Sequence, residues 1–178
     1  MTWSENPRHQ GLRKRLVDAL KIKGIRDERV LAAIGKVPRH AFLESTFINF
    51  AYRDQAFPIG AGQTISQPYT VAFQSELLMV EPYSKVLEVG TGSGYQAAVL
   101  CEMGAKVYTI ERQKELFVKA SQLLQELGYF PAFHIGDGFR ALPTYGPFDR
   151  IIVTAGATSV PEELKTQLVI GGRMVIPV

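Results

Sequence analysis

The stretch that most constrains this chain is VLEVGTGSGY, residues 86–95. A short apolar run, Val86 to Val89, ends on three glycines at alternate positions, Gly90, Gly92 and Gly94, and a helical apolar pattern follows at once. Glycine accepts backbone conformations closed to other residues and lets the chain approach a group that a Cβ would repel. Strand, glycine turn and helix together open a βα unit of the kind that holds nucleotide-like ligands.

The rest of the chain after Pro82 keeps the same rhythm. Strands are predicted at Val86–Val89, Lys106–Ile110, Ala132–Ile135, Arg150–Val153 and Arg173–Val178, and amphipathic helices at Tyr95–Met103, Gln113–Leu127 and Pro161–Leu168. Gly104 and Gly128 stand where helices end. Such alternation implies parallel strands joined by right-handed crossovers, a doubly wound α/β sheet of Rossmann-like type. In such a sheet a ligand sits beyond the carboxyl ends of the strands, beside the first one.

Residues 1–81 read differently, as an N-terminal helical segment. Leu12, Leu16 and Leu20 recur at helical spacing before Gly24, and Asp27 is an N-cap for a second helix carrying Val30, Leu31 and Ile34. FPIGAGQTISQP, residues 57–68, is expected to be a long loop, and compact domains seldom keep such loops without using them. We therefore expect one domain, residues 1–178, with N-terminal helices and a substrate loop in 1–81 and the cofactor-binding α/β core in 82–178.

Composition narrows the function classes. The chain has 178 residues, 46% hydrophobic and 21% charged, with a formal charge of +3 spread along its length. No dense basic run marks a nucleic-acid partner, and RKR at 13–15 is expected on the solvated face of its helix. Cys101 is read as a small core residue, with no cysteine to pair with and no metal-ligand spacing. His9, His40 and His134 lack a partner at meaningful spacing and are taken as structural; no metal site is expected. No apolar stretch reaches the roughly 18 residues of a membrane span. The expected compartment is the cytoplasm and the expected state a monomer.

The cofactor can be read two ways. Gly92, Gly94 and Ala97 fit G-x-G-x-x-A, with Glu111 about 20 residues on from the turn, as in a nicotinamide dinucleotide site. Against this, Glu88 stands two residues before the first glycine, where a carboxylate reaching into the cleft would repel a pyrophosphate but suit an ammonium or sulfonium. The acid of GDG, Asp137 with Gly138 after it, closes the third strand near an adenine amino group. Together these favour S-adenosylmethionine, with Glu88 near the methionyl end, Glu111 on the ribose hydroxyls and Asp137 by the adenine.

VPRHAFL (37–43), AYRDQAFPIGAGQTISQPYTVA (51–72), VLEVGTGSGYQAAVL (86–100), GDG and the closing GGRMVIPV resemble the protein-L-isoaspartate O-methyltransferase family over nearly the whole chain. The glycine turn is common to many methyltransferases, whereas QTISQP is characteristic of this family. The resemblance implies methyl transfer from S-adenosylmethionine to the α-carboxylate of isoaspartyl residues in aged proteins and peptides. That step yields S-adenosylhomocysteine and starts repair through a methyl ester and succinimide.

Within that resemblance Ser66 is the residue tied to catalysis. Thr64 and Ser66 are expected to donate hydrogen bonds to the substrate carboxylate, and the backbone of Ile59 and Gly60 to pair with an extended peptide. Ser66 also precedes Gln67 and Pro68 and fits the N-cap of the following helix. The helix N-terminus would then help to bind the substrate carboxylate. The small residues of TAGATSVP, 154–161, are expected to leave room for substrate.

The family continues past the IPV strand with a further helix or loop and an antiparallel strand pair that completes a seven-stranded sheet. Taken as ending at Val178, this chain is expected to be truncated, with an exposed apolar edge strand, weak cofactor binding and lost activity. Pairing with another chain along that edge is the alternative. Three other readings stay open here: methylation of a small molecule, a nicotinamide-dependent oxidoreductase, and a cofactor-binding module without turnover.

Overall fold

The structure, a computed structural model, describes residues 4–140, 142–156 and 159–178. Helix α1 (Pro7–Ile22) starts where the Asn6 side chain accepts a hydrogen bond from the His9 amide and Pro7 takes the first turn. Helix α2 (Glu28–Lys36) starts at Asp27, whose carboxylate accepts from the Arg29 amide, as the sequence predicts. Both bury an apolar stripe, Leu16 and Leu20 on one and Val30, Leu31 and Ile34 on the other.

The segment expected as a loop forms an antiparallel hairpin, β1 (Phe57–Gly60) with β2 (Gln63–Ile65). Phe57, Ile59 and Ile65 are buried while Pro58, Gln63 and Thr64 are exposed, the period-two pattern of a half-buried ribbon. The turn at Gly60, Ala61 and Gly62 is made entirely of positive φ. The glycine-rich composition that hides the strands from a pattern search is what lets the chain reverse.

Helix α3 (Pro68–Leu78) leads into the α/β core: β3 (Lys85–Val89), α4 (Tyr95–Glu102), β4 (Lys106–Glu111), α5 (Lys114–Glu126), β5 (Ala132–Ile135), β6 (Phe148–Val153), α6 (Glu162–Lys165) and β7 (Leu168–Val175). The five core strands are ordered β5-β4-β3-β6-β7, every pair parallel. The order reverses beside β3, so the turn after β3 opens at the switch point of the sheet. One apolar core joins α1 to α4 to one sheet face, and a smaller one around Leu87, Ile151, Phe148 and Leu164 fills the other.

Three local expectations change. Helix α6 stops at Lys165 and β7 starts at Leu168, earlier than Arg173, because Leu168 already pairs with Phe148 and a bulge absorbs the register shift. Arg13 of RKR is buried rather than solvated. Its guanidinium donates to the Gly35 carbonyl and the Tyr52 hydroxyl and pairs with Glu5. The histidines also gain partners from far along the chain: the His9 and His40 rings lie 3.8 Å apart beside Glu5.

His40 Nε2 meets the Ser4 carbonyl, which can only accept, so Nδ1 of the neutral ring accepts from the Tyr52 hydroxyl. Cys101 lies on α4 against the main core, and burial pushes its thiol up to about 12. No helix among the described residues is long and apolar enough to cross a membrane.

Candidate active site

A cleft of about 210 Å³ opens at the carboxyl ends of β3, β4 and β6. Its walls come from the glycine turn, the residues after β4 and β5, the start of the 154–161 segment, and β2 with Ser66. The hairpin therefore lies over the mouth that the sheet topology creates.

The three glycines do different things. A Cβ on Gly90 would fall 2.7 Å from the Thr154 hydroxyl oxygen, which already donates to the Gly90 carbonyl, and a Cβ on Gly94 would fall 2.9 Å from Leu124 of α5. Those two positions are set by packing. Gly92, at φ +54, has only Ile59 nearby at 3.7 Å and faces the cleft. Of the three, Gly92 is the one whose missing side chain leaves room for a ligand.

Glu111 lines the cleft. Its carboxylate accepts from the Gly92 amide at 2.8 Å and from the Gln113 amide at 2.9 Å, which fixes it at the end of β4. A carboxylate has about four acceptor positions, so these two bonds leave capacity for a diol. Asp137 also lines the cleft, exposed, with its carboxylate accepting from the Phe139 amide. Gly138 packs against Val89 so closely that a Cβ would collide with it.

Glu88 is elsewhere. Alternation along β3 turns it under α4, away from the cleft, where it is wholly buried. One carboxyl oxygen accepts from the Thr109 hydroxyl at 2.6 Å; the other has no partner. Burial pushes the carboxyl up to about 8. The expected place at the methionyl end is thus not where this side chain points.

Ser66 and Thr64 border the cleft from the hairpin side. The capping role foreseen for Ser66 falls to other residues. Helix α3 has Gln67 at its N-cap position with no side-chain cap, and the Asp54 carboxylate accepts from the Tyr69 amide. The helix N-terminus already holds one carboxylate, while the Ser66 hydroxyl has no hydrogen-bond partner among the described residues. Ile59 and Gly60 do not line the cleft; the Ile59 side chain is buried against the glycine turn. In the 154–161 segment, Thr154, Ala155 and Gly156 border the cleft, and Ala157 and Thr158 lie outside the described residues.

Comparison with known proteins decides among the readings that the cleft leaves open. The family described as protein-L-isoaspartate(D-aspartate) O-methyltransferase matches residues 11–178. This chain belongs to that family.

A protein-L-isoaspartate O-methyltransferase of Christiangramia forsetii is 62% identical over 172 residues, covering 96% of this chain and 81% of that protein. One from Salinibacter ruber is 51% identical, covering 99% and 80%. Among solved structures, a protein-L-isoaspartate O-methyltransferase superposes with a TM-score of 0.85 at 33% identity, over 93% of this chain and 55% of that one. Another, from Plasmodium falciparum and solved with S-adenosyl-L-homocysteine, gives 0.79 at 28% identity, over 93% and 83%. The doubly wound sheet read from the sequence is thus the fold of this methyltransferase family, and the oxidoreductase alternative falls.

Sequence reasoning gave Arg39 no role although VPRHAFL contains it. The side chain is fully buried. Its signal was a cation in an apolar stretch, visible only when asked what could neutralise it. Gln96, which lines the cleft, was also passed over because it sits in a helix read as packing.

Proposed function

We propose that this chain transfers a methyl group from S-adenosylmethionine to the free α-carboxylate of L-isoaspartyl residues in aged proteins and peptides, as a cytoplasmic monomer. Family membership supports the reaction, and one observation carries the site. The Ser66 hydroxyl, with no hydrogen-bond partner among the described residues, borders the same cleft as Gly92 and Glu111.

The residues present fit the cofactor. The Glu111 carboxylate is held rigidly at the cleft wall with acceptor capacity to spare, the exposed Asp137 stands at the far end, and Gly92 keeps the space between free of a side chain. Glu111 would take the ribose hydroxyls and Asp137 the adenine amino group. Bound there, S-adenosylmethionine supplies a methyl group already activated on sulfonium.

The protein then has little acid–base work to do. An α-carboxylate, with a reference pKa of about 3.5, is ionised at neutral pH and needs no general base. What remains is to hold one carboxylate oxygen roughly 3 Å from the methyl carbon, in line, and to exclude water. Ser66, helped by Thr64, would donate to one oxygen and leave the other to react. The backbone at Ile59 and Gly60, on the strand paired with β2 and outside the cleft lining, would align the peptide beyond the reacting residue.

The test is transfer from labelled S-adenosylmethionine to one peptide made in isoaspartyl and in aspartyl form. Turnover of the isoaspartyl form alone supports the proposal. Binding of S-adenosylhomocysteine without turnover of either peptide would overturn the acceptor assignment and leave a cofactor-binding module.

A further inference from the structure

Among the described residues, Arg39 is one of the largest wholly buried side chains. Its Nε donates to the Ala51 carbonyl at 3.0 Å, and its Nη2 donates to the Gln55 carbonyl at 3.2 Å and the Ser66 carbonyl at 2.9 Å. The guanidinium carbon lies 4.8 Å from the centre of the Tyr95 ring. Nη1 and the Tyr95 hydroxyl are both buried, make no hydrogen bond of ordinary geometry, and interact electrostatically with each other.

This set of acceptors is unusual for a buried cation. All three are backbone carbonyls, and burial alone lowers the affinity of the guanidinium for its proton. A buried charge without a bonded carboxylate costs stability that an apolar side chain of similar length would not. The carbonyls, however, are not scattered. Ala51 and Gln55 precede the hairpin and Ser66 follows it, so one planar fork closes the base of β1 and β2. Tyr95, on which the fork rests, is the first residue of α4, directly after the glycine turn.

We propose that Arg39 is a positioning residue for methyl transfer, fixing Ser66 relative to the glycine turn by clamping both ends of the hairpin onto Tyr95. The proposal rests on the methyltransferase reading of the cleft for its kinetic consequence, but its structural consequence stands without it. The Ser66 carbonyl is held by Arg39 and its hydroxyl is left for substrate. Loss of the clamp lets the hydroxyl wander while the cofactor wall, built on β3 and β4, stays in place.

The test compares Arg39→Lys and Arg39→Met with the unaltered chain. A lysine keeps the charge but not the planar fork whose separate nitrogens span the three carbonyls, and a methionine removes the charge while filling much of the space. For Arg39→Lys we expect kcat on an isoaspartyl peptide to fall about 10- to 100-fold, the loss that follows from misplacing a reacting group by about 1 Å. S-adenosylhomocysteine affinity should stay within about two-fold, because the interaction lost acts on the acceptor side.

Hydrogen exchange at amides 57–67 should quicken about 10-fold in both variants, with 86–111 unchanged. Unchanged exchange at 57–67, or a loss shared equally by kcat, cofactor affinity and the exchange of 86–111, would overturn the proposal. If the unaltered chain turns over no isoaspartyl peptide, the methyltransferase reading fails, and the exchange measurement still decides the clamp.

Discussion

Thr109 donates a hydrogen bond to the carboxyl of Glu88 at 2.6 Å, behind the glycine turn and out of contact with solvent. Thr109 also shares a hydrogen bond with Thr91 of the turn itself, so a buried polar chain runs from the turn to the carboxyl. The motif acid thus supports the turn from beneath rather than meeting the ligand.

Its titration gives the first prediction. Burial pushes Glu88 from 4.5 up to about 8, so between those values the folded chain binds a proton that the unfolded chain has released. Stability contributed by this group is complete below about pH 4.5 and is lost as pH rises toward 8 and beyond. Glu88→Gln keeps the shape of the protonated acid and removes the titration. Unfolding free energies from denaturant titration should match the unaltered chain near pH 4 and exceed it by on the order of a few kcal/mol above pH 8. Parallel pH profiles would show that Glu88 is ionised in the fold.

Ser66→Ala removes a donor with no role in capping α3. A hydrogen bond to a charged acceptor contributes about 1.5–3 kcal/mol, so kcat/KM on an isoaspartyl peptide should fall about 10- to 100-fold. Thermal stability and S-adenosylhomocysteine affinity should not move. Calorimetry beside the kinetic assay separates this from a folding defect, which would lower all three.

The glycines can be told apart by what alanine does to each. Gly94→Ala drives a methyl into Leu124 at positive φ and should cost about 1–3 kcal/mol of stability. Gly92→Ala meets only Ile59, so it should be milder for stability yet abolish measurable S-adenosylhomocysteine binding. The thermal midpoint and the binding isotherm of each variant decide this, and equal behaviour of the two would remove the distinction.

Glu111→Ala should weaken S-adenosylhomocysteine most of all. The substitution deletes the ribose acceptor and frees the Gly92 and Gln113 amides at once. Two charge-assisted bonds at about 1.5–3 kcal/mol each correspond to a loss on the order of 100-fold or more. Retained affinity would take Glu111 out of the ribose role.

The central strands β3, β4 and β6 were legible because most of their residues are buried and they read as short apolar runs, whereas the edge strands β5 and β7 are half-exposed and the start of β7 was missed. Glu111 and Asp137 followed from their places at strand ends. The hairpin was not legible, since its four- and three-residue strands are joined by residues that pattern reading assigns to loops. Glu88 was misplaced for a different reason. Motif spacing gives a residue's distance from the turn, whereas the side of the strand it occupies depends on pleat phase and on α4 above it. Arg39, Arg13 and the His9–His40 pair depend on contacts between residues far apart in sequence, which no local window contains.

The N-terminal histidine cluster supplies the last prediction. Burial holds His40 below its usual 6.5, reinforced by the nearby His9 and Arg13 and opposed by the Ser4 carbonyl and Glu5. Below pH 6.5 the unfolded chain therefore binds a proton that the folded chain resists, and the stability from this group, complete above 6.5, is lost as pH falls. That sign is opposite to the contribution of Glu88, so the net pH profile of the unaltered chain conceals both. His134, lowered by burial as well, adds to the acid side. A difference measurement isolates His40: His40→Gln has no titration and can still donate to Ser4 and accept from Tyr52. Thermal midpoints from pH 7.5 to 5 should fall less in His40→Gln than in the unaltered chain. Hydrogen exchange in α1 should quicken with acid only when His40 is present; acid loosening that is the same in both chains would assign it to another group.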